Sequence, residues 1–293
     1  MPRNGEPQTE HRYSTAGAVL FHFRRHRTAR GHACWRGLLR GYPGWVGNMW
    51  WFAAGLAAMT VLALVVQRHA GVRLGVQPLV AVIRAAVQLA VIALILRGVL
   101  AVPWLVLAFV ALMLTTASWT SFSRLRGIPG ARQAVVTGVF TGALVTIGLI
   151  FGMRLVEFEV TNVVAVAGIV IGNTMSAATL TGRNFERSTV ARRGEIEAWL
   201  SLGATSRVAY QAVAQESMKE SLIPNIDQTR ATGLVTLPGA FVGALLGGAS
   251  PAQAAMLQLA VLVGILLTQS ICSSVVLRVL SGSPEVPQEV RTS

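Results

Sequence analysis

Apolar runs of membrane-spanning length alternate with short polar connections over most of the chain, and one long polar interval divides them. Seven runs come close to the ~20 residues that an α-helix needs to cross ~30 Å of hydrocarbon, namely 45–66, 76–96, 99–117, 134–153, 161–180, 231–248 and 252–280. The pattern predicts an all-α polytopic membrane protein with about seven transmembrane helices. Pro251 and the Gly247-Gly248 pair mark a tight turn between the last two runs. Leu237-Pro238-Gly239 should break or kink the sixth. Broken helices persist in a membrane only where they line a cavity or are buried in protein.

The polar interval, 181–230, holds half of the chain's twelve acidic residues, interspersed with Arg183, Arg187, Arg192, Arg193, Arg207, Lys219 and Arg230. Read at a period of 3.6, Ile196, Trp199, Leu200, Gly203, Ala204, Val208, Ala212 and Val213 form one apolar stripe. This predicts an amphipathic helix closed by a tight turn at Gly203, where glycine takes the left-handed conformation. The run Arg193-Gly194-Glu195-Ile196-Glu197-Ala198-Trp199-Leu200-Ser201-Leu202-Gly203-Ala204 resembles the cytoplasmic coupling loop of ABC-transporter permeases. The importer form has Glu-Ala-Ala with a glycine further on; Glu197, Ala198 and Gly203 keep that spacing, whereas Trp199 replaces the second alanine and Ile223-Pro224 falls out of register. On that resemblance, Arg193, Glu195, Ile196, Glu197, Trp199, Leu202, Gly203 and Ala204 couple the membrane domain to a soluble ATPase. The bland alternative is a solvated helix without a partner.

Composition supports an integral membrane protein, with 53% hydrophobic and 13% charged residues and a positive mean hydropathy. The net charge of +13 does not call for nucleic acid, because the arginines gather in residues 1–44, at the ends of apolar runs and in the polar interval. Arg68, Arg73, Arg124, Arg126 and Arg132 place one set of loops in the cytoplasm, against Arg97 and Arg154 opposite. Five runs precede the interval, which puts the N-terminus outside if the interval is cytoplasmic. The eight arginines of residues 1–44 argue the other way. That stretch reads as a disordered, Arg-rich leader, or as untranslated with Met49 as the start. Residues 45–280 read as the transmembrane domain and 281–293 as a polar tail. Lys219, the only lysine, follows Met218. A Walker A loop, which ends Gly-Lys-Ser/Thr, is therefore excluded, and the chain is expected to be no enzyme. Cys34 and Cys272 offer neither a disulfide framework nor a zinc spacing.

Polar groups inside apolar runs mark a candidate translocation path. Arg84 and Gln88 are four apart in the second run; a charge at that depth costs roughly 2.5–3.5 kcal/mol and needs protein, water or a counter-charge, for which Asp227 is the candidate. Asn173 interrupts the fifth run, and Met175 carries a thioether suited to soft metals, although a packing role fits it as well. Asp227 and Thr229 lead into the sixth run, with Pro238 and Gly239 at its break. The metal ligands are undetermined. Gly138/Gly142, Gly168/Gly172 and Gly239/Gly243/Gly247 have the four-residue spacing that brings helix backbones together in lipid.

Taken jointly, Arg84-Ala85-Ala86-Val87-Gln88-Leu89, Gly172-Asn173-Thr174-Met175, the Arg193–Thr205 run, Ile223-Pro224-Asn225-Ile226-Asp227-Gln228-Thr229 and Gly233-Leu234-Val235-Thr236-Leu237-Pro238-Gly239 resemble the FetB family of ABC permeases, from residue 49 to 280. That family includes bacterial iron exporters and plant aluminium-tolerance permeases. The resemblance implies a homodimeric permease in the bacterial inner (cell) membrane. It implies an ABC ATPase subunit as partner, with ATP and Mg held there and no cofactor in this chain, and export of iron or another metal ion. The rival class is a gradient-driven secondary transporter or channel. It requires intramembrane carboxylates, whereas Glu157, Glu159 and Asp227 lie at the edges of runs.

Overall fold

Apolar runs of this length leave the backbone no water to bond with, so the chain satisfies its N–H and C=O groups internally as helices. The computed structural model describes residues 49–71, 75–101 and 104–282; the expected leader, Arg73, Cys34 and most of the polar tail lie outside them. Ten helices are described: α1 (Met49–His69), α2 (Gln77–Ala101), α3 (Leu105–Arg124), α4 (Ala131–Gly152), α5 (Val160–Ala191), α6 (Arg193–Ser201), α7 (Ser206–Ala209), α8 (Gln211–Ala231), α9 (Gly239–Leu246) and α10 (Pro251–Leu280). The described residues divide into two compact units, 49–86 with Ala244–Ala249, and Val87–Gly243 with 250–282. In the first unit, α1 opens on Trp50, Trp51 and Phe52, all exposed, an aromatic cluster of the kind that sits at a membrane interface.

The second unit carries the core. In it α10 packs along α4 and α5, and α5 packs against α3, α4 and α8. Val135, Val139, Ala143, Val170, Ile171, Ala178, Cys272 and Val276 are buried between them. Two of the small residues expected to bring helices together do so. A Cβ at Gly138 would stand 2.6 Å from Val276 Cγ2, and one at Gly142 would stand 2.9 Å from the Thr268 carbonyl oxygen. The other pairs behave differently, because a Cβ at Gly172, Gly239 or Gly243 would meet nothing within 4 Å. Leu125 lies against Gly182, where a Cβ would come within 2.5 Å of its Cδ1. Ser250 caps α10 by accepting from Gln253 N at 3.3 Å, while the Gln253 side chain bonds back to Ser250 N at 3.1 Å, and Pro251 fills the first turn.

Among the described residues, six helices are long and apolar enough to cross a membrane, against the seven runs expected. The run that drops out is the sixth. Its backbone is broken by a turn in which Gly233 has φ +91° and its N–H bonds to Thr236 O at 2.9 Å, and only the eight residues of α9 are helical. The Leu-Pro-Gly break is therefore a full interruption. Two further boundaries move. The third run starts later, at Leu105, and α5 extends 32 residues, about 48 Å at 1.5 Å per residue, which exceeds the hydrocarbon thickness. The polar interval thus begins inside a helix that projects out of the bilayer.

Candidate functional site

Within the polar interval the end of α5 is followed by three helices, α6, α7 and α8, instead of one continuous stripe. α6 is held at its start by Arg192, which reaches Glu195 at 2.8 Å and Glu216 of α8 at 3.3 Å, and by Arg193, which bonds Glu197 at 2.7 Å. It ends in a Schellman motif: Gly203 has φ +84°, Ala204 N bonds Trp199 O at 3.1 Å, and Gly203 N bonds Leu200 O at 3.0 Å. The apolar side chains of the loop divide between core and surface. Ile196 (1% exposed) and Val213 enter the core with Phe185 and Tyr210, whose rings lie 5.6 Å apart. Trp199, Leu202 and Val208 face out, at 46%, 81% and 48% exposure. Ile196, expected on the coupling face, instead anchors the loop from inside. Glu195 and Glu197 are exposed and paired, and Ala204 is half-buried in the turn. Burial raises the Tyr210 pKa above the usual phenol range; among the described residues its OH has no hydrogen-bond partner.

The expected path residues are spread over several elements. Arg84 and Gln88 are exposed on α2. Asn173 is half-buried on α5, its Nδ2 bonding Ile169 O at 2.8 Å, next to exposed Gly172 and Ser176. Met175 packs against the core, and its carbonyl accepts from Ser121 and Thr179, both at 3.0 Å. Asp227, Thr229, Pro238 and Gly239 lie at the end of α8 and the start of α9, on either side of the break. Asp227 pairs locally, with Arg230 at 3.3 Å. Pro224 sits within α8, which runs on through it to Ala231.

A seam of small polar groups between the helices was not among the sequence candidates. Thr174 and Thr268 share a 2.7 Å hydroxyl contact, Cys272 Sγ donates to Thr174 O at 3.6 Å, and Ser273 meets Thr181 at 2.8 Å and Ser221 at 3.5 Å. These bonds tie α5, α8 and α10 together. Ser118, Thr146, Gln258 and Gln269 each bury an oxygen with no partner among the described residues. The signal was present in the sequence, since Gln258 and Gln269 are eleven apart and Thr268 and Cys272 four apart, spacings that share a helix face. The chemistry of the seam is that of interhelical hydrogen bonding, worth about 0.6 kcal/mol per pair in membranes.

Membrane-length helices locked by glycine contacts and hydroxyl pairs, with one discontinuous segment and a projecting helical loop, define a multi-pass membrane protein of the permease class. The chain belongs to the family described as "Uncharacterised protein family (UPF0014)", whose model matches residues 50–283. It is 33% identical over 225 residues to the rice "UPF0014 membrane protein STAR2" (Oryza sativa subsp. japonica), covering 75% of this chain and 78% of that protein. It is 28% identical over 227 residues to "Protein ALUMINUM SENSITIVE 3" of Arabidopsis thaliana, covering 75% and 83%. It is also 28% identical over 215 residues to the "Probable iron export permease protein FetB" of Escherichia coli, covering 73% and 83%. No solved structure matches the chain. In a bacterial cell, a multi-pass protein of this family lies in the inner membrane.

Proposed function

We propose that this chain is the permease subunit of an ABC exporter that moves iron or another metal ion across the bacterial inner membrane, driven by a separately encoded ATPase that holds ATP and Mg. The observation that carries the reading is the construction of α6. It presents Trp199 and Leu202 outward while Ile196 and the Arg192–Glu216 pair fix it to the bundle. A push on the exposed face is delivered to α5 and α8 as a rigid displacement. α8 leads directly into the broken segment around Gly233, so the displacement reaches the part of the bundle that can repack at least cost. Alternating access follows from that linkage.

The substrate path is assigned to Arg84, Gln88, Asn173, Met175, Asp227, Thr229, Pro238 and Gly239. The polar outer face of α5, with Asn173 beside Gly172 and Ser176, supports it, since such groups at membrane depth need protein or water against them. A second copy of the chain supplies that cover, giving a homodimer. Iron as cargo rests on the printed name of the Escherichia coli relative. Among the described residues no three His, Cys, Asp or Glu side chains gather as a metal cage, which suits a path of weak, exchangeable ligands.

The test is co-purification of the tagged chain from membranes with the candidate ATPase, followed by ATPase activity with and without Fe(II). A complex stimulated by Fe(II) is expected. A complex indifferent to metals would remove the metal cargo, and a well-folded chain that captures no ATPase would remove the coupling role.

A further inference from the structure

We propose that the end of the bundle where α3 and α5 meet is a binding site for the phosphate-bearing headgroup of an anionic phospholipid. Leu125 is seated directly on Gly182. That one contact fixes four cations around it: Arg124 and Arg126 flank Leu125, Arg183 follows Gly182, and Arg187 lies one turn further on the same face of α5. All four are exposed. None has an ion-pair partner among the described residues, where the recorded pairs consume Glu195, Glu197, Glu216 and Asp227 on Arg192, Arg193 and Arg230. Glu186 is the one carboxylate within a turn of Arg183 and Arg187, it is half-buried, and it forms no pair. Four unpaired guanidiniums thus gather at this contact, with Glu186 the one carboxylate beside them on α5.

Position decides what neutralises them. α3 ends at Arg124 and α4 begins at Ala131, each at the end of a membrane-length helix, so the Leu125 contact lies at the bilayer boundary. Just inside it on α3, exposed Trp119 packs edge-on against Phe122 at 6.3 Å, an indole where interfacial tryptophans anchor. Basic pockets between transmembrane helices at this depth take anionic headgroups, and guanidiniums bind phosphate oxygens in bidentate fashion. At the bilayer boundary lipid headgroups surround Arg124 and Arg183, and a soluble acidic protein would have to displace them to cover both.

The experiment uses the full chain in nanodiscs of phosphatidylcholine alone or with cardiolipin or phosphatidylglycerol, scored by native mass spectrometry for retained lipid and by thermal unfolding. Wild-type protein is expected to retain anionic lipid selectively and to unfold at higher temperature with it. Each basic residue near an anionic surface is worth about fivefold in affinity. Arg183→Gln/Arg187→Gln should therefore weaken retention by about 30-fold, Arg183→Lys/Arg187→Lys much less, and Arg207→Gln/Arg230→Gln on the loop not at all. Equal retention of neutral and anionic lipid by wild type would overturn the proposal. So would undiminished selectivity in the α5 double variant. Stabilisation reproduced by millimolar inorganic phosphate in neutral nanodiscs would replace the lipid with a soluble anion, and stabilisation only on adding the ATPase would replace it with a protein contact.

Discussion

At the scale of single residues, the tightest constraints are places where nothing can be added. A methyl at Gly142 would sit 2.9 Å from the Thr268 carbonyl oxygen and 3.2 Å from Thr174 Cγ2, and a backbone atom cannot swing aside. Gly142→Ala should cost about 1–3 kcal/mol of overpacking, which lowers Tm by several degrees in a detergent melt. Gly148→Ala, with no atom within 4 Å of the new Cβ, should leave Tm unchanged or higher. Tyr210 supplies the opposite case, a buried hydroxyl that gains nothing. Its pKa is raised by burial, so folding favours the neutral phenol. That contribution is intact below the unfolded value near 10 and is lost as pH rises beyond it. Raising pH from 9 to 11 should therefore expose the loop to protease faster in wild type than in Tyr210→Phe. Near neutral pH the variant should be as resistant as wild type or more so, since removing an unpaired hydroxyl forfeits no bond.

At the scale of elements, the coupling role proposed for α6 can be tested apart from its part in stability. Its ion pairs are exposed and each is worth about 0–1 kcal/mol, so Glu197→Arg should leave membrane insertion and Tm nearly unchanged while abolishing transport. Gly203→Val should do the same more severely, because a β-branched residue at φ +84° is strained by about 1–3 kcal/mol and unwinds the Schellman turn. Normal transport in both variants would dismiss the coupling role. The start of α6 and the glycine that ends it were legible in the sequence because both are local: periodicity and a left-handed turn depend on a few neighbouring residues. Which members of the stripe are buried was not. Period alone placed Ile196 and Trp199 on one face, but Ile196 goes under the bundle and Trp199 out, a choice made by contact with Phe185 and Tyr210. The break before α9 could be read from Leu237-Pro238-Gly239. That it removes the whole crossing helix depends on Gly233, whose turn no propensity rule distinguishes from an ordinary membrane glycine. Likewise the Gly239/Gly243/Gly247 repeat looked stronger than Gly138/Gly142, yet it is the shorter pair that lies close against α10.

At the scale of the whole molecule, what drives transport is decided by where charge can be stored. A gradient-driven carrier needs a carboxylate that takes up and releases an ion inside the bilayer. No Asp or Glu occurs in α1, α2, α3, α4 or α10, and α5 has only Glu186, past its membrane-length portion. The other polar side chains named inside the spans are hydroxyls, carboxamides, the Arg84 guanidinium and the Cys272 thiol, none of them a carboxylate. This favours the proposed mechanical energy input, for which the anchored, outward-facing loop of α6 and α7 is the proposed receiver. In proteoliposomes containing the chain and its ATPase, Fe(II) movement should require ATP on the loop side and should persist when a protonophore and a sodium ionophore collapse both gradients. Leu202→Ala, which removes the most exposed apolar side chain of the loop turn (81%), should reduce ATP-driven flux several-fold without altering passive leak. Flux that survives without ATP and dies with the gradients would shift the energy source to an ion, and Asp227, exposed and held only by Arg230, would be the carboxylate to replace next.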